Sequence, residues 1–267
     1  MEINALNEIL AATPAREYRY FDSIGSTNDE ALRWCDDGAA DFSLVIAEEQ
    51  TKGRGRFERR WVTRLGCALA FSLILQPTPE ERKKLALFAP LCGLALRDTL
   101  ESQLGLQAEI KWPNDVLLGR RKTAGILVEA NWSGDNMSGI VLGIGVNVSP
   151  GSIPPVGSQQ FPATCLEEHC NPPVDRYQLL QGILNAIAAW RAEFGSPAFF
   201  EAWQRYLAFK GELVRIEDSQ KTSIIGIVKG IDTRGHLLLT LDNGTEKDFE
   251  AGDIHLRPVE TQGTGGA

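Results

Sequence analysis

Three histidines, two methionines and five cysteines are all that 267 residues contain of those types, and the cysteines show no paired spacing. An odd, unpaired set of cysteines reads as reduced thiols, not as a disulfide framework. Cys67 and Cys92 read as small core residues. Cys165, His169 and Cys170 outline half of a zinc site, but no second Cys or His pair follows, so no metal site is expected. Long apolar runs are also missing: none approaches the roughly 20 residues of a membrane span. The start, MEINALNEI, has neither the basic stretch nor the apolar run of a secretory signal, and a cytoplasmic protein is expected. Basic residues number 27 against 35 acidic ones, for a net charge of -8. That balance excludes a general nucleic-acid binder, which needs a basic stripe. An anionic ligand must therefore meet a local basic cluster.

What is present is an ordinary globular composition, 43% hydrophobic and 23% charged, sufficient for one large domain and a small one. Residues 2 to 12 predict a short helix and Tyr18 to Ile24 a strand. Thr27 followed by Glu30 fits a capping box that opens a helix to about Cys35. Ser43 to Glu48 and Cys67 to Leu75 are strand-like, with a Gly/Arg loop between them, and a long helix is predicted from Glu80 to Leu104. Four strands follow in an antiparallel run: Ala108 to Trp112, Asp115 to Leu118, Thr123 to Trp132 and Ser138 to Val148, with a hairpin turn at 133 to 136. Residues 149 to 173 form a Pro- and Gly-rich connection, and Asp175 to Phe194 and Pro197 to Phe209 are helical. From Gly211 the pattern becomes four short strands, near 213 to 217, 222 to 229, 236 to 241 and 246 to 249, which suggests a small all-strand barrel. The expected organisation is α+β, with domains at 1 to 209 and 210 to 260 and a flexible Gly-rich tail at 261 to 267.

The densest chemical signal is QTKGRGRFERRW, Gln50 to Trp61, where five basic residues crowd around two glycines. Arginine forks suit carboxylate and phosphate, and the glycines let backbone approach a ligand. On its own this segment fits an anion-handling loop or a solvated basic loop equally well. It is not a dinucleotide fingerprint, because Glu58 stands where the last glycine belongs; Gly143-Ile144-Gly145 fails likewise at Val148. In a second cluster, Lys111-Trp112-Pro113-Asn114-Asp115, a proline-broken turn projects Lys111 and Asp115 from a corner. Lys122, on what reads as an adjoining strand before the apolar run 124 to 128, either meets an anion or snorkels to solvent. Gly125 leaves room for a ligand on the same strand. Ser26-Thr27-Asn28 reads as a helix cap or a polar pocket corner, and Asn147 as a turn residue or a reader of a base edge.

Taken in order, Ser26-Thr27-Asn28, Gln50 with Gly53-Arg54-Gly55-Arg56 and Trp61, Lys111 to Asp115, Arg121-Lys122 with Gly125-Ile126-Leu127, and Gly143 to Asn147 closely resemble the biotin protein ligases. The resemblance covers about residues 18 to 257. It implies a catalytic domain similar to that of class II aminoacyl-tRNA synthetases, with a mixed or antiparallel sheet, followed by an SH3-like C-terminal β-barrel. It further implies that Ser26, Thr27, Asn28 and Gln50 bind the fused rings of biotin while Arg54, Gly55 and Arg56 fold over the ligand. Lys122 would contact the biotin carboxylate and the α-phosphate of ATP. Gly125 would lie beside the ligand, Trp61 and Asn147 on the adenine side, and Lys111 with Asp115 near the phosphates. The family pattern has a glycine between the later arginines and Ser-Pro after the tryptophan; here stand Glu58 and Thr63-Arg64.

The implied chemistry is ATP-dependent formation of biotinyl-adenylate, with Mg²⁺ held mainly by the phosphates, then transfer to a lysine of a biotin carboxyl carrier protein. No enzyme nucleophile is needed, in keeping with the lack of a Ser/His/Asp set. Lys122, Arg56, Lys111 and Asp115 are the expected catalytic residues. A lipoate-attaching ligase would not need the Ser26 and Gln50 polar set, and a non-catalytic biotin sensor would not need both lysines. A biotin-responsive repressor needs an N-terminal DNA-binding domain, for which the 17 residues before Tyr18 are too few. No nucleic-acid or membrane partner is expected, and the chain is expected to be a monomer or a homodimer.

Overall fold

The computed structural model describes residues 3–57, 59–134, 136–154, 161–171, 173–218, 223–251 and 254–258. Glu58, Asp135 of the expected hairpin turn and the Gly-rich tail lie outside these residues. Helix α1 (Ile3–Ala11) precedes strand β1 (Tyr18–Ile24), helix α2 (Thr27–Asp36), and strands β2 (Ser43–Gln50) and β3 (Ala68–Leu75). Then come α3 (Pro79–Arg82), α4 (Phe88–Leu104), β4 (Glu109–Lys111), β5 (Asp115–Leu118), β6 (Arg121–Ser133) and β7 (Asn136–Asn147). Helices α5 (Arg176–Ala192) and α6 (Pro197–Arg205) lead to β8 (Leu213–Asp218), β9 (Ser223–Ile231), β10 (Leu237–Thr240), β11 (Glu246–Phe249) and β12 (Ile254–Pro258).

The first seven strands form one mixed sheet in the order β1-β2-β3-β7-β6-β5-β4. Only β1 and β2 pair in parallel, as their α2 crossover requires; the other pairings are antiparallel. Because side chains alternate across a strand, β7 turns Ile140, Leu142, Ile144 and Val146 into the main core with α4 and α5. Val141 goes to a second apolar cluster under α2, with Trp34, Cys35, Val45 and Ile74. On that α2 side the strand continues with Gly143, Gly145 and Asn147. Period-two alternation thus builds a helix-covered face and, opposite it, a face half covered by α2 and half left as a polar, glycine-lined floor.

The expected helix from Glu80 to Leu104 is broken into α3, a 3-10 turn at Leu85–Leu87 and α4. Pro90 supplies the reason: inside a continuous helix it would lack a donor and clash with the carbonyl four residues back, whereas a restart at Phe88 puts it in the first turn. A capping box of Thr78 and Glu81 starts the short α3. Strand β12, absent from the sequence reading, pairs antiparallel with β8 and completes a five-stranded antiparallel sheet in the order β11-β10-β9-β8-β12. The C-terminal sheet is not detached. Trp112 Nε1 donates to Gly235 O at 3.1 Å, and the segment after α6 bridges the β4 edge at Ile110 and Leu207.

Candidate active site

A cleft of about 530 Å³ opens on the α2 side of the seven-stranded sheet. The thirteen residues given a site role above all line it: Ser26, Thr27 and Asn28 from α2 and its cap, Gln50, the loop residues Arg54, Gly55, Arg56 and Trp61, and Lys111, Asp115, Lys122, Gly125 and Asn147 from the sheet. Their convergence has local causes. Ser26, not Thr27, is the N-cap of α2, its hydroxyl accepting from Asp29 N. Thr27 instead serves Gln50, because its backbone N and its hydroxyl both donate to Gln50 Oε1, at 2.8 and 3.0 Å. With its oxygen so engaged, the Gln50 amide is oriented, and its NH₂ remains as a donor. Ser72, buried on β3 and unremarked in the sequence, lies 2.7 Å from Thr27 Oγ1 and 2.6 Å from Asn28 Oδ1. Thr27, Asn28 and Ser72 are buried and Gln50 half-buried, and the polar floor they form is internally hydrogen-bonded.

The glycines of β6 and β7 serve close approach. A Cβ at Gly143 would collide with Asn28 Oδ1, and one at Gly145 would collide with the Trp61 indole. Gly145 pairs with Gly125 across the two strands, and Trp61 spans both. Asn147 Nδ2 donates to Thr164 O at 3.0 Å, which ties the end of β7 to segment 161–164.

The cationic part of the cleft differs from the sequence reading in one respect. Lys111 and Lys122 are not on adjoining strands; β5 lies between them, and its Asp115 contacts both, at 3.2 and 2.5 Å. Lys122 reaches that face through a β-bulge. Leu117 pairs with Lys122 but Val116 with Ala124, so Thr123 is the extra residue and the pleat is rephased. Accordingly a Cβ at Gly125 would meet Lys122 Nζ at 3.1 Å. Burial favours the neutral form of Asp115, but Lys122 and Lys111 outweigh it and hold the carboxyl down at about 2. A carboxyl held that low is a weak proton acceptor, and its two oxygens each face one of the two ammonium groups. Burial, then Lys122, pushes Lys111 below the usual lysine range, opposed by Asp115.

Arg54 faces carboxylates: its Nη1 and Nη2 donate to Glu129 at 2.9 and 2.8 Å, and Asp29 lies 2.7 Å away. Arg56 donates to Asn114 Oδ1 at 3.4 Å and to Ala251 O, just after β11, at 3.1 Å.

Two family models match the chain: the biotin/lipoate A/B protein ligase family over residues 20–147, and the biotin protein ligase C-terminal domain over residues 210–257. The biotin–(acetyl-CoA-carboxylase) ligase of Paracoccus denitrificans is 36% identical over 228 residues, covering 80% of this chain and 90% of that protein. The bifunctional ligase/repressor BirA of Bacillus spizizenii is 33% identical over 246 residues, covering 89% of this chain and 73% of that protein. The chain belongs to the biotin protein ligases. Among solved structures, the biotin protein ligase of Aquifex aeolicus in complex with biotin and ATP superposes with a TM-score of 0.79 at 27% identity, over 91% of this chain and 100% of that one.

The ligase cleft also holds residues to which the sequence assigned no role of their own. Arg59, Phe161 and Arg257 line it, and Lys111 Nζ lies 5.0 Å from the Phe161 ring centre. Arg59 carried a legible signal as a member of the basic loop. Arg257 carried none, because it sits on the strand that short-range pattern missed.

Proposed function

We propose that this cleft activates biotin with ATP and passes it to a lysine of a biotin carboxyl carrier protein. The carrying observation is the arrangement along one sheet face: a hydrogen-bonded polar floor at Thr27, Asn28 and Gln50, and on the same face two ammonium groups fixed by one carboxylate. In the first step a biotin carboxylate oxygen attacks the α-phosphorus of ATP, and pyrophosphate leaves. In the second, the ε-amine of the carrier lysine attacks the acyl carbon, loses a proton, and AMP departs. The first step brings a carboxylate up to a polyphosphate, like charge to like, and the second builds negative charge on the acyl oxygen and the departing AMP, so prepositioned cations lower both barriers. Lys122 meets the carboxylate and α-phosphate, Lys111 the phosphate chain, and Asp115 keeps both in place. Ser26, Thr27, Asn28 and Gln50 take the fused rings of biotin, Arg54, Gly55 and Arg56 close over it, Gly125 gives the ligand room, and Trp61 and Asn147 flank the adenine.

Mg²⁺ belongs to this scheme as part of the nucleotide. Asp115 and Glu129 are already paired with cations, so the donors that suit the ion are the phosphates, whose charge it would neutralise. We read residues 1–209 as the catalytic domain, of the class II aminoacyl-tRNA-synthetase type, and residues 210–260 as an SH3-like module beside it. Incubation with biotin, ATP and a carrier domain, followed by mass spectrometry, should add one biotin to one carrier lysine; no mass gain would refute the assignment. Lys122→Ala should raise the barrier to biotin-dependent pyrophosphate exchange by about 2 to 4 kcal/mol, and near-normal exchange would remove Lys122 from the chemistry.

A further inference from the structure

Glu129 lies on β6 on the same side as Gly125 and has no part in the steps above. Its two oxygens serve two different parts of the cleft. Oε2 accepts from Asn28 Nδ2 at 2.7 Å, while Oε1 and Oε2 together receive the Arg54 guanidinium at 2.9 and 2.8 Å. From Asn28 the contacts continue through Ser72 to Thr27 and on to Gln50. One carboxylate therefore joins the basic loop to the hydrogen-bonded floor.

The geometry matters more here than the charge. The ion pair is partly open, with side-chain exposures of 38% for Arg54 and 24% for Glu129, and exposed pairs add little to overall stability. A bidentate pair, however, fixes the distance and the plane of a guanidinium. Arg54 is flanked by Gly53 and Gly55, and among the described residues the backbone there is tied only to its own loop: Gly55 N donates to Arg59 O at 2.7 Å, Trp61 N to Gly53 O at 2.9 Å, and Arg54 bridges Arg60. Those contacts shape the loop but do not join it to the floor; the Arg54 guanidinium does, through Glu129, with Asp29 at its edge.

We propose that Glu129 is a positioning residue, fastening the Arg54 segment of the loop to the polar floor and so setting how slowly biotin and its adenylate leave the cleft. The inference rests on the reading of the cleft as the biotin site. Glu129→Gln keeps an acceptor for Asn28 and removes the charge that orients Arg54. Stopped-flow dissociation of biotin is measured for the wild type, Glu129→Gln, Arg54→Met and the double variant, alongside pyrophosphate exchange. Glu129→Gln should release biotin about tenfold faster. Exchange at saturating biotin should stay within about threefold, so that KM moves and kcat holds. The double variant should release biotin no faster than Arg54→Met alone, since the lost interaction is the same one. Glu129→Asp, which keeps the charge on a shorter arm, should fall between wild type and Glu129→Gln, and it serves if the glutamine variant fails to fold. Unchanged release in either Glu129 variant, or additive effects in the double variant, would overturn the proposal. A wild type that does not bind biotin would instead overturn the reading of the cleft.

Discussion

At Asp115 one carboxylate faces two ammonium groups, and the sum of those charges decides what a substitution does. Asp115→Asn leaves Lys111 and Lys122 against each other without a counter-charge in a largely buried site, and breaking a buried pair in this way typically costs about 3 to 5 kcal/mol. We expect a urea midpoint lowered accordingly and exchange activity lost with it. The pH dependence follows from the direction of the shift. The Asp115 carboxyl is held at about 2, below its ordinary value of 3.8, so its contribution is fully present above that ordinary value. It drains away as pH falls from there towards about 2. Acid unfolding of the wild type should therefore be steeper in that window than that of Asp115→Asn; parallel acid curves would show that the lysines do not depend on it. Gly145 is governed by space instead of charge. The Trp61 indole occupies the place that its missing Cβ would take. Gly145→Ala must push the ring aside, a cost of about 1 to 3 kcal/mol. ATP binding measured by calorimetry should weaken by about tenfold or more, and unchanged affinity would detach Trp61 from the nucleotide.

The secondary elements were legible where local chemistry decides them. The alternation of β1, the glycine-bearing strands and the Pro113 corner were all in the sequence. So was a cap at the start of α2, although the hydroxyl that performs it belongs to Ser26 and not to Thr27. Ser26→Ala should cost about 1 kcal/mol of stability by denaturation, as the loss of an N-cap does, whereas Thr27→Ala should act through Gln50 orientation and biotin affinity. What local pattern could not reveal depends on partners distant in the chain. Strand β12 is five residues ending in proline, and it exists because β8, some forty positions earlier, pairs with it. The bulge at Thr123 is set by register against β5, and without it Lys122 would face the other side of the sheet. The Asp115 bridge between the lysines is a property of strand order, β4-β5-β6, which no motif spacing encodes. That these residues would meet in one cleft was readable; that one carboxylate would bridge both lysines was not.

For the whole molecule, the question is how independent the C-terminal sheet is of the catalytic one. Val214, Ile216, Val228, Leu237, Leu239 and Leu256 belong to the same continuous apolar core as Leu44, Phe71, Phe88 and Ile144. Polar contacts cross as well: Trp112 reaches Gly235, Arg120 pairs with Glu212, and Arg56 of the loop donates to Ala251. Leu256 and Arg257 line the cleft itself. Across the boundary proposed at 209/210 burial is therefore shared, and a shared core couples unfolding. We expect thermal unfolding followed by near-ultraviolet circular dichroism and by proteolysis at C-terminal sites to coincide in a single transition. Trp112→Phe deletes the bond to Gly235 and thins a fully buried contact, which should lower the stability of both sheets together by about 2 kcal/mol. If the variant instead melts in two steps, with the C-terminal sheet first and pyrophosphate exchange surviving it, that sheet is an appendage and its cleft residues are dispensable.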